Sequence, residues 1–164
     1  MFKTGVLTVS DSTYQGLRED TGGPLICEYL NGMDKFQISA TGVCPDEEDE
    51  IKKTLVAWVD GLGLDIIFTT GGTGLSPRDV TPEATLNIID RAIPGMSEAI
   101  RAYGLKKTPR AMLSRGVVGV RGKCLIINLP GSPKAVRDGL EAVGPVLEHA
   151  IMKIQGDTTP CGNP

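Results

Sequence analysis

The stretch IIFTTGGTGLSPRDVTPEAT, residues Ile66 to Thr85, decides how the chain is read. Ile66 to Thr70 is a short β-branched run of strand character, and it passes with no linker into Gly71-Gly72-Thr73-Gly74. Glycine gives up more conformational entropy on folding than other residues, so this density marks backbone that takes positive φ or lies close to a ligand. Ser76-Pro77-Arg78-Asp79 follows, and Thr81-Pro82-Glu83 reads as a helix start with Thr81 as N-cap and proline at the first helical position. Peptide N–H groups freed at such a turn converge on an anion, and a helix N-terminus nearby adds favourable partial charge. The stretch is therefore a strand, an anion-binding loop and an acid, Asp79, placed to hold a cation.

The bulk properties bound what surrounds it. The 164 residues point to one domain with a real core, expected over residues 1–155, followed by a polar, loose tail over 156–164. Aromatic residues make up only 4% of the chain and the net charge is −3, which argues against stacking on single-stranded nucleic acid and against a general nucleic-acid or membrane-surface role. Cys27, Cys44, Cys124 and Cys161 are far apart and there is one histidine, His149, so no structural zinc site is expected. The cysteines read as reduced thiols, the first three mostly buried. The N-terminus lacks a long apolar segment and no run approaches a membrane span, so the expectation is a soluble cytoplasmic protein.

Taken in order, Phe2 to Ser10 is an apolar strand suited to a sheet buried on both faces. A helix follows from Asp20-Thr21-Gly22-Gly23-Pro24 through Leu30, then a strand over Phe36 to Val43. Asp46 sits where an N-cap belongs, ahead of a helix carrying Ile51, Leu55, Trp58, Val59 and Leu62 at helical spacing. After the glycine loop, one helix is expected to carry Leu86, Ile89 and Ile93 until Pro94-Gly95, and a second to run from Met96 to Leu105. Lys106, Lys107 and Arg110 read as a solvated basic loop. Arg115–Val120 and Lys123–Asn128 form a hairpin about Arg121-Gly122, and a long final helix should kink near Val143 because of Pro145. The order of elements gives an α/β sandwich with a mostly parallel sheet.

In such a sheet the loops after strand C-termini gather on one rim. Four corners then share a cleft: Ser10-Asp11-Ser12, Pro45-Asp46, Gly71 to Asp79, and Asn128 to Ser132. Glycine backbone, carboxylates and capping hydroxyls suit a nucleotide phosphate chain with a divalent metal. The third glycine of G-x-G-x-x-G is missing, however, no G-K-[ST] is present, and hydrolase signatures are absent. Without a general base of tunable pKa, the expected chemistry is transfer between phosphates, where positioning and charge neutralisation do most of the work.

TTGGTGLSPRDVTPEAT resembles the signature of the molybdopterin-binding family (MogA, MoaB and the gephyrin G-domain). VSDSTYQGLREDTGGP is similar to that family's first corner and INLPGSPKAV to its last, so three blocks in the right order cover nearly the whole chain. The resemblance implies a three-layer α/β sandwich, typically a homotrimer, that adenylylates molybdopterin with Mg2+ and ATP and releases pyrophosphate. The molybdenum insertion enzyme is a further implied partner. Position by position, it makes Asp46 the catalytic acid and Asp79 an acid tied to pterin binding, both placed to hold Mg2+. Gly71, Gly72, Thr73 and Gly74 match the phosphate-cradling loop, with Ser76 beside it. Ser10 and Asp11 match the first corner, Asn128, Pro130, Gly131 and Ser132 the last, and Glu98 a cleft-facing acid.

Residue mechanics leave other readings beside these. Asp46 alone is an ordinary helix N-cap, Ser132-Pro133 is first a cap, and Ser10-Asp11-Ser12 is equally a turn. The compact size resembles MoaB-type members and the first corner resembles Mog-type ones. A non-catalytic pterin-binding or scaffolding module, and a nucleotide pyrophosphate hydrolase of related fold, stand as alternatives.

Overall fold

Every residue of Ile66–Thr70, the strand β3, is buried, and this explains why its sequence shows no polar alternation. It lies inside a sheet in a computed structural model that describes residues 1–159. The elements are β1 (Phe2–Val9), α1 (Asp11–Tyr14), α2 (Gly22–Asn31), β2 (Phe36–Cys44), α3 (Glu48–Val56), β3, α4 (Thr81–Leu86), β4 (Arg91–Ala92), α5 (Pro94–Leu105), β5 (Val118–Arg121), β6 (Cys124–Leu129), α6 (Pro133–Val143) and α7 (Leu147–Ile154). The described residues form one six-stranded sheet in the order β2-β1-β3-β6-β5-β4. The first four strands are mutually parallel, and the β5–β6 hairpin and β4 complete the sheet antiparallel.

Side chains along the central strands alternate between two cores. Ile66 and Phe68 of β3, with Leu125 and Ile127 of β6, pack beneath Ile26 and Leu30 of α2, Val136 and Leu140 of α6, and Leu147 and Ile151 of α7. Ile67 and Ile126 face the other way, against Ile51 and Leu55 of α3 and Ala84 of α4. That period of two across a doubly covered sheet makes the three layers of an α/β sandwich, as the sequence reading held. At the edge, β2 is half exposed, and the Trp58 indole covers Gly5 and Gly42, where added Cβ atoms would lie 2.8 and 3.3 Å from it.

Two local readings need correction. The helix opened by Thr81 ends at Leu86, and the run to Ile93 is not helical. Asp90 and Ile93 instead donate their N–H groups to the Val120 and Val118 carbonyls at 2.7 and 2.8 Å, so Arg91–Ala92 becomes β4 on the open edge of β5. The spacing of Leu86, Ile89 and Ile93 imitates a helix, but Leu86 is exposed while Ile89 packs over Gly119. Thr81 is not the N-cap either, since Val80 holds that position and the Thr81 hydroxyl is used elsewhere.

The final helix breaks at the expected place, with a 3-10 turn over Gly144–Val146 between α6 and α7. Beyond α7, Lys153 pairs with Asp157 at 3.3 Å, and the Thr159 carbonyl also accepts a hydrogen bond from Lys153. The rest of the tail expected to be loose, with Cys161, lies outside the described residues. Cys44 and Cys124 are buried, and burial pushes both thiols up to about 12, so they stay protonated and inert.

Candidate functional site

Four parallel strands deliver four corners to one rim, and the strand order reverses between β1 and β3, so a crevice must open above those two. A cleft of about 340 Å³ lies there. Ser10, Asp46, Gly71, Gly72, Asp79, Gly131 and Ser132 line it, which brings together residues from all four expected corners.

Its back wall is the glycine loop. Gly71 and Gly72 have φ of 99° and 65°. A Cβ on Gly71 would lie 2.2 Å from the Val9 carbonyl oxygen, and one on Gly72 would lie 2.3 Å from the Thr81 hydroxyl and 3.1 Å from Asp46 Oδ1. Only glycine fits either position. The loop is then locked from beneath. Gly71 N–H donates to the Leu129 carbonyl at 3.2 Å, the buried Thr81 hydroxyl donates to the Gly71 carbonyl at 2.9 Å, and Thr81 N–H donates to the Gly72 carbonyl at 3.1 Å. Arg115 spans the far end, donating to the carbonyls of Gly74 at 2.8 Å and Asp79 at 2.7 Å while pairing with Glu83. No acceptor among the described residues takes the N–H groups of Gly72, Thr73, Gly74, Gly131 or Ser132. A loop held by its carbonyls leaves such donors for an anion.

The front wall is acidic. Asp11 and Asp46 are joined reciprocally, Asp11 N–H donating to Asp46 Oδ2 at 2.8 Å and Asp46 N–H to Asp11 Oδ1 at 3.0 Å. Asp46 therefore does not cap α3, whose N-cap is Glu47; its carboxylate is turned to the neighbouring corner instead. Arg78 closes the arrangement with two hydrogen bonds of 3.0 Å to Asp11 and one of 2.8 Å to Glu47. Asp79 folds back on its own turn, where Oδ2 accepts the Ser76 N–H at 2.9 Å. Burial raises the Asp46 pKa above the usual carboxylate range, and the charges of Asp11 and Asp79 add to the effect. Asp11 moves the opposite way, lowered by its hydrogen bonds from Arg78 and from the Asp46 backbone.

Asn128, Glu98 and Ser76 stand apart from the cleft. The Asn128 side chain is buried and fully used by the fold, accepting from Val117 N–H at 3.2 Å and donating to the hydroxyls of Thr69 and Thr85 at 3.0 Å each. Glu98 is exposed on α5 and does not line the cleft, because the buried face of that helix is set by Ser97 and Ile100. Ser76 is exposed in the turn, its hydroxyl accepting the Arg78 N–H at 3.3 Å.

Thr73, Gly74 and Pro130 face a second pocket of about 480 Å³ behind the same wall, sharing Gly131 and Ser132 with the first. Ile100, Ala111 and Leu113 give it apolar surface, and Arg110, Lys134 and Ser114 give it polar and cationic groups. Arg110, read from sequence as solvated, thus lines a pocket.

Sequence reasoning also passed over Thr8 and Asp20. Thr8 donates to Asp20 at 2.7 Å, Asp20 accepts the Gly23 N–H at 3.0 Å, and both line the cleft. An Asp three residues before the second of two glycines at a helix start was the available signal. Arg78 and Arg115 carried no such signal, since their partners are distant in sequence.

The wall can hold phosphate through backbone donors, and the acids can hold a hard cation. Among the described residues no three His, Cys, Asp or Glu side chains are grouped to bind a metal unaided. Asp46 Oδ1 and Asp79 Oδ1 receive no hydrogen bond from described residues. An oxygen-only donor set of this kind fits magnesium, which typically binds one or two carboxylates plus substrate phosphates.

Known proteins share this chain's sequence and fold. The family model described as "probable molybdopterin binding domain" matches residues 5–149. A molybdopterin adenylyltransferase of Helicobacter pylori is 42% identical over 157 residues, covering 93% of this chain and 88% of its own. The molybdenum cofactor synthesis protein cinnamon of Drosophila melanogaster is 41% identical over 94% of this chain, which spans only 26% of that longer protein. Among solved structures, the molybdopterin biosynthesis enzyme MoaB of Thermus thermophilus is 55% identical, with a TM-score of 0.91 and coverage of 96% of this chain and 98% of its own.

Proposed function

The chain belongs to the molybdopterin-binding domain family, and from that premise we propose that it is a molybdopterin adenylyltransferase of molybdenum cofactor biosynthesis. It transfers AMP from ATP to the terminal phosphate of molybdopterin and releases pyrophosphate. The observation that carries this reading is one glycine-built wall with an acidic cleft on one side and a cationic, partly apolar pocket on the other. A reaction between two phosphates needs that arrangement, with both brought to the same wall from opposite sides.

An oxygen of the pterin phosphate attacks the α-phosphorus of ATP, and the bond to the bridging oxygen breaks, its electron pair leaving with pyrophosphate. The attacking phosphate is already anionic, so the step requires no general base, in keeping with a cleft lined by neither histidine nor cysteine. Asp46 and Asp79 would hold Mg2+, which would supply neutralisation of the charge on the departing pyrophosphate. The amides of Gly72 and Gly131 receive phosphate oxygens, and Thr73, Gly74, Ser132, Arg110 and Lys134 receive the pterin and its phosphate end. Ser10 and Asp11 shape the entrance. We take the working form to be a cytoplasmic homotrimer, on the family resemblance, which sedimentation analysis checks.

Incubation with molybdopterin and Mg-ATP is the direct test, read by mass spectrometry for adenylylated pterin and by a coupled assay for pyrophosphate. Both products in equal amount are expected. Tight pterin binding with neither product would leave a pterin-binding module, and ATP or ADP-ribose breakdown without pterin would point to a hydrolase.

A further inference from the structure

Ser76-Pro77-Arg78-Asp79 is a self-closed turn. Asp79 N–H donates to the Ser76 carbonyl and Ser76 N–H donates to the Asp79 carboxylate, both at 2.9 Å. Closing the turn directs Arg78 away from Asp79 and across to two other corners. Its guanidinium takes Asp11 through Nε and Nη2 and Glu47 through Nη1. Asp11 Oδ1 is thereby shared, accepting from Arg78 Nη2 and from Asp46 N–H, while Asp11 N–H fixes Asp46 Oδ2. The chain of contacts runs Arg78, Asp11, Asp46. It ends with one Asp46 oxygen engaged and the other lying against Gly72.

Exposed ion pairs contribute little to stability, and the side chains of Arg78 and Glu47 are 53% and 55% exposed. A forked guanidinium on a carboxylate is nevertheless geometrically specific, and a lysine cannot reproduce it. Arg78 is the cation hydrogen-bonded to Asp11, and Asp46 feels the charges of both Asp11 and Asp79. Without Arg78 those carboxylates repel, and the pairing of Asp11 with Asp46 loses its anchor.

We propose that Arg78 is a positioning residue for adenylyl transfer, acting through Asp11 to present Asp46 to the reacting phosphates. This rests on the adenylyltransferase reading given above. Arg78 touches no reacting atom; it sets where Asp46 points.

The test combines steady-state kinetics with amide hydrogen exchange on the ligand-free protein. In Arg78→Gln, kcat should fall about a hundredfold, the order expected for a misplaced group, while KM for ATP and for pterin stays within about threefold. The melting temperature should move by no more than about 2 °C, because the pairs are exposed. Exchange at the Asp11 N–H should quicken, since that bond reports the coupling without any substrate. Arg78→Lys should recover part of kcat through its charge and leave the rest unrecovered. Wild-type kcat in Arg78→Gln, a loss carried by KM instead, an unchanged Asp11 exchange rate, or a large drop in melting temperature in both variants would each overturn the proposal. Wild-type protein that makes no adenylylated pterin fails the functional reading instead, and the exchange measurement still decides the coupling.

Discussion

Arg115 and Arg78 both brace the segment from Gly71 to Asp79, from opposite sides and on different kinds of partner. Arg115 reaches backbone carbonyls, those of Gly74 and Asp79, and adds Glu83, whose carboxyl it holds below the usual range. Arg78 reaches only carboxylates, those of Asp11 and Glu47. A carbonyl cannot be re-aimed without moving the chain, so the first arginine fixes shape. A carboxylate rotates freely, so the second fixes aim. The cleft thus has a back wall made rigid by backbone and a front wall made of side chains whose charges must be balanced. Variants in the front wall should alter chemistry with little loss of stability, and variants in the back wall should do the reverse.

The widest separation should come from Asp46→Asn. Its oxygen can still accept the Asp11 N–H, but the charge proposed to serve the phosphates is gone. Transfer should fall about a thousandfold, about 4 kcal/mol in the barrier, with the fold intact by circular dichroism. Activity within tenfold of wild type would remove Asp46 from the chemistry and collapse the contrast.

Gly71→Ala probes the back wall. The new methyl would sit 2.2 Å from the Val9 carbonyl oxygen, at φ of 99° where an L-residue is already strained. A loss of about 3 kcal/mol is expected, or about 10 °C in melting temperature, measured by thermal and urea unfolding. Arg115→Met keeps the unbranched apolar stem of the side chain and removes the donors to Gly74 and Asp79. It should cost about 2 kcal/mol, with protease cutting appearing within the glycine loop. If Arg115→Met proved as stable as wild type, the loop would be held by Thr81 and Leu129 alone.

The sheet, its mostly parallel order, the hairpin and the break at Pro145 were legible because local chemistry and tertiary packing agree there. Buried strands such as Ile66–Thr70 have no other use for so many β-branched residues, and Gly122 takes positive φ (56°) at the hairpin turn, as the Arg121-Gly122 reading required. The region from Asn87 to Ile93 misled because the open edge of β5 recruits it, and edge pairing leaves no periodic signature. In the cleft, the places of Gly71, Gly72, Asp46 and Asp79 could be read, since each follows the C-terminal end of a parallel strand and such ends share one rim. Asn128 was misassigned because a buried amide satisfying Thr69 and Thr85 looks, in sequence, like an amide waiting for a ligand. Arg78 and Arg115 act across 67 and 36 residues of sequence, and spacing carries no such information.

The smallest expected effect tests the front wall through pH. Asp46 has its pKa raised by burial and by neighbouring charge, so its contribution to stability is fully present below the unfolded value of about 3.9 and is lost as pH rises through its folded value. Asp11 has its pKa lowered by Arg78 and the Asp46 backbone, so its contribution is present above about 3.9 and is lost as pH falls through its folded value. Two carboxylates that share hydrogen bonds should therefore respond to neutralisation with opposite signs. At neutral pH Asp46→Asn should melt at or slightly above wild type and Asp11→Asn below it. Both differences should shrink toward zero as unfolding is followed down into acid, where the wild-type groups are themselves protonated. Melting curves at intervals between neutral pH and acid would show it, and a downward shift in both variants would mean that Asp46 stabilises the fold through its charge. Its open oxygen would then be a structural contact, and the division between a wall that fixes shape and a wall that fixes aim would not hold at its central residue.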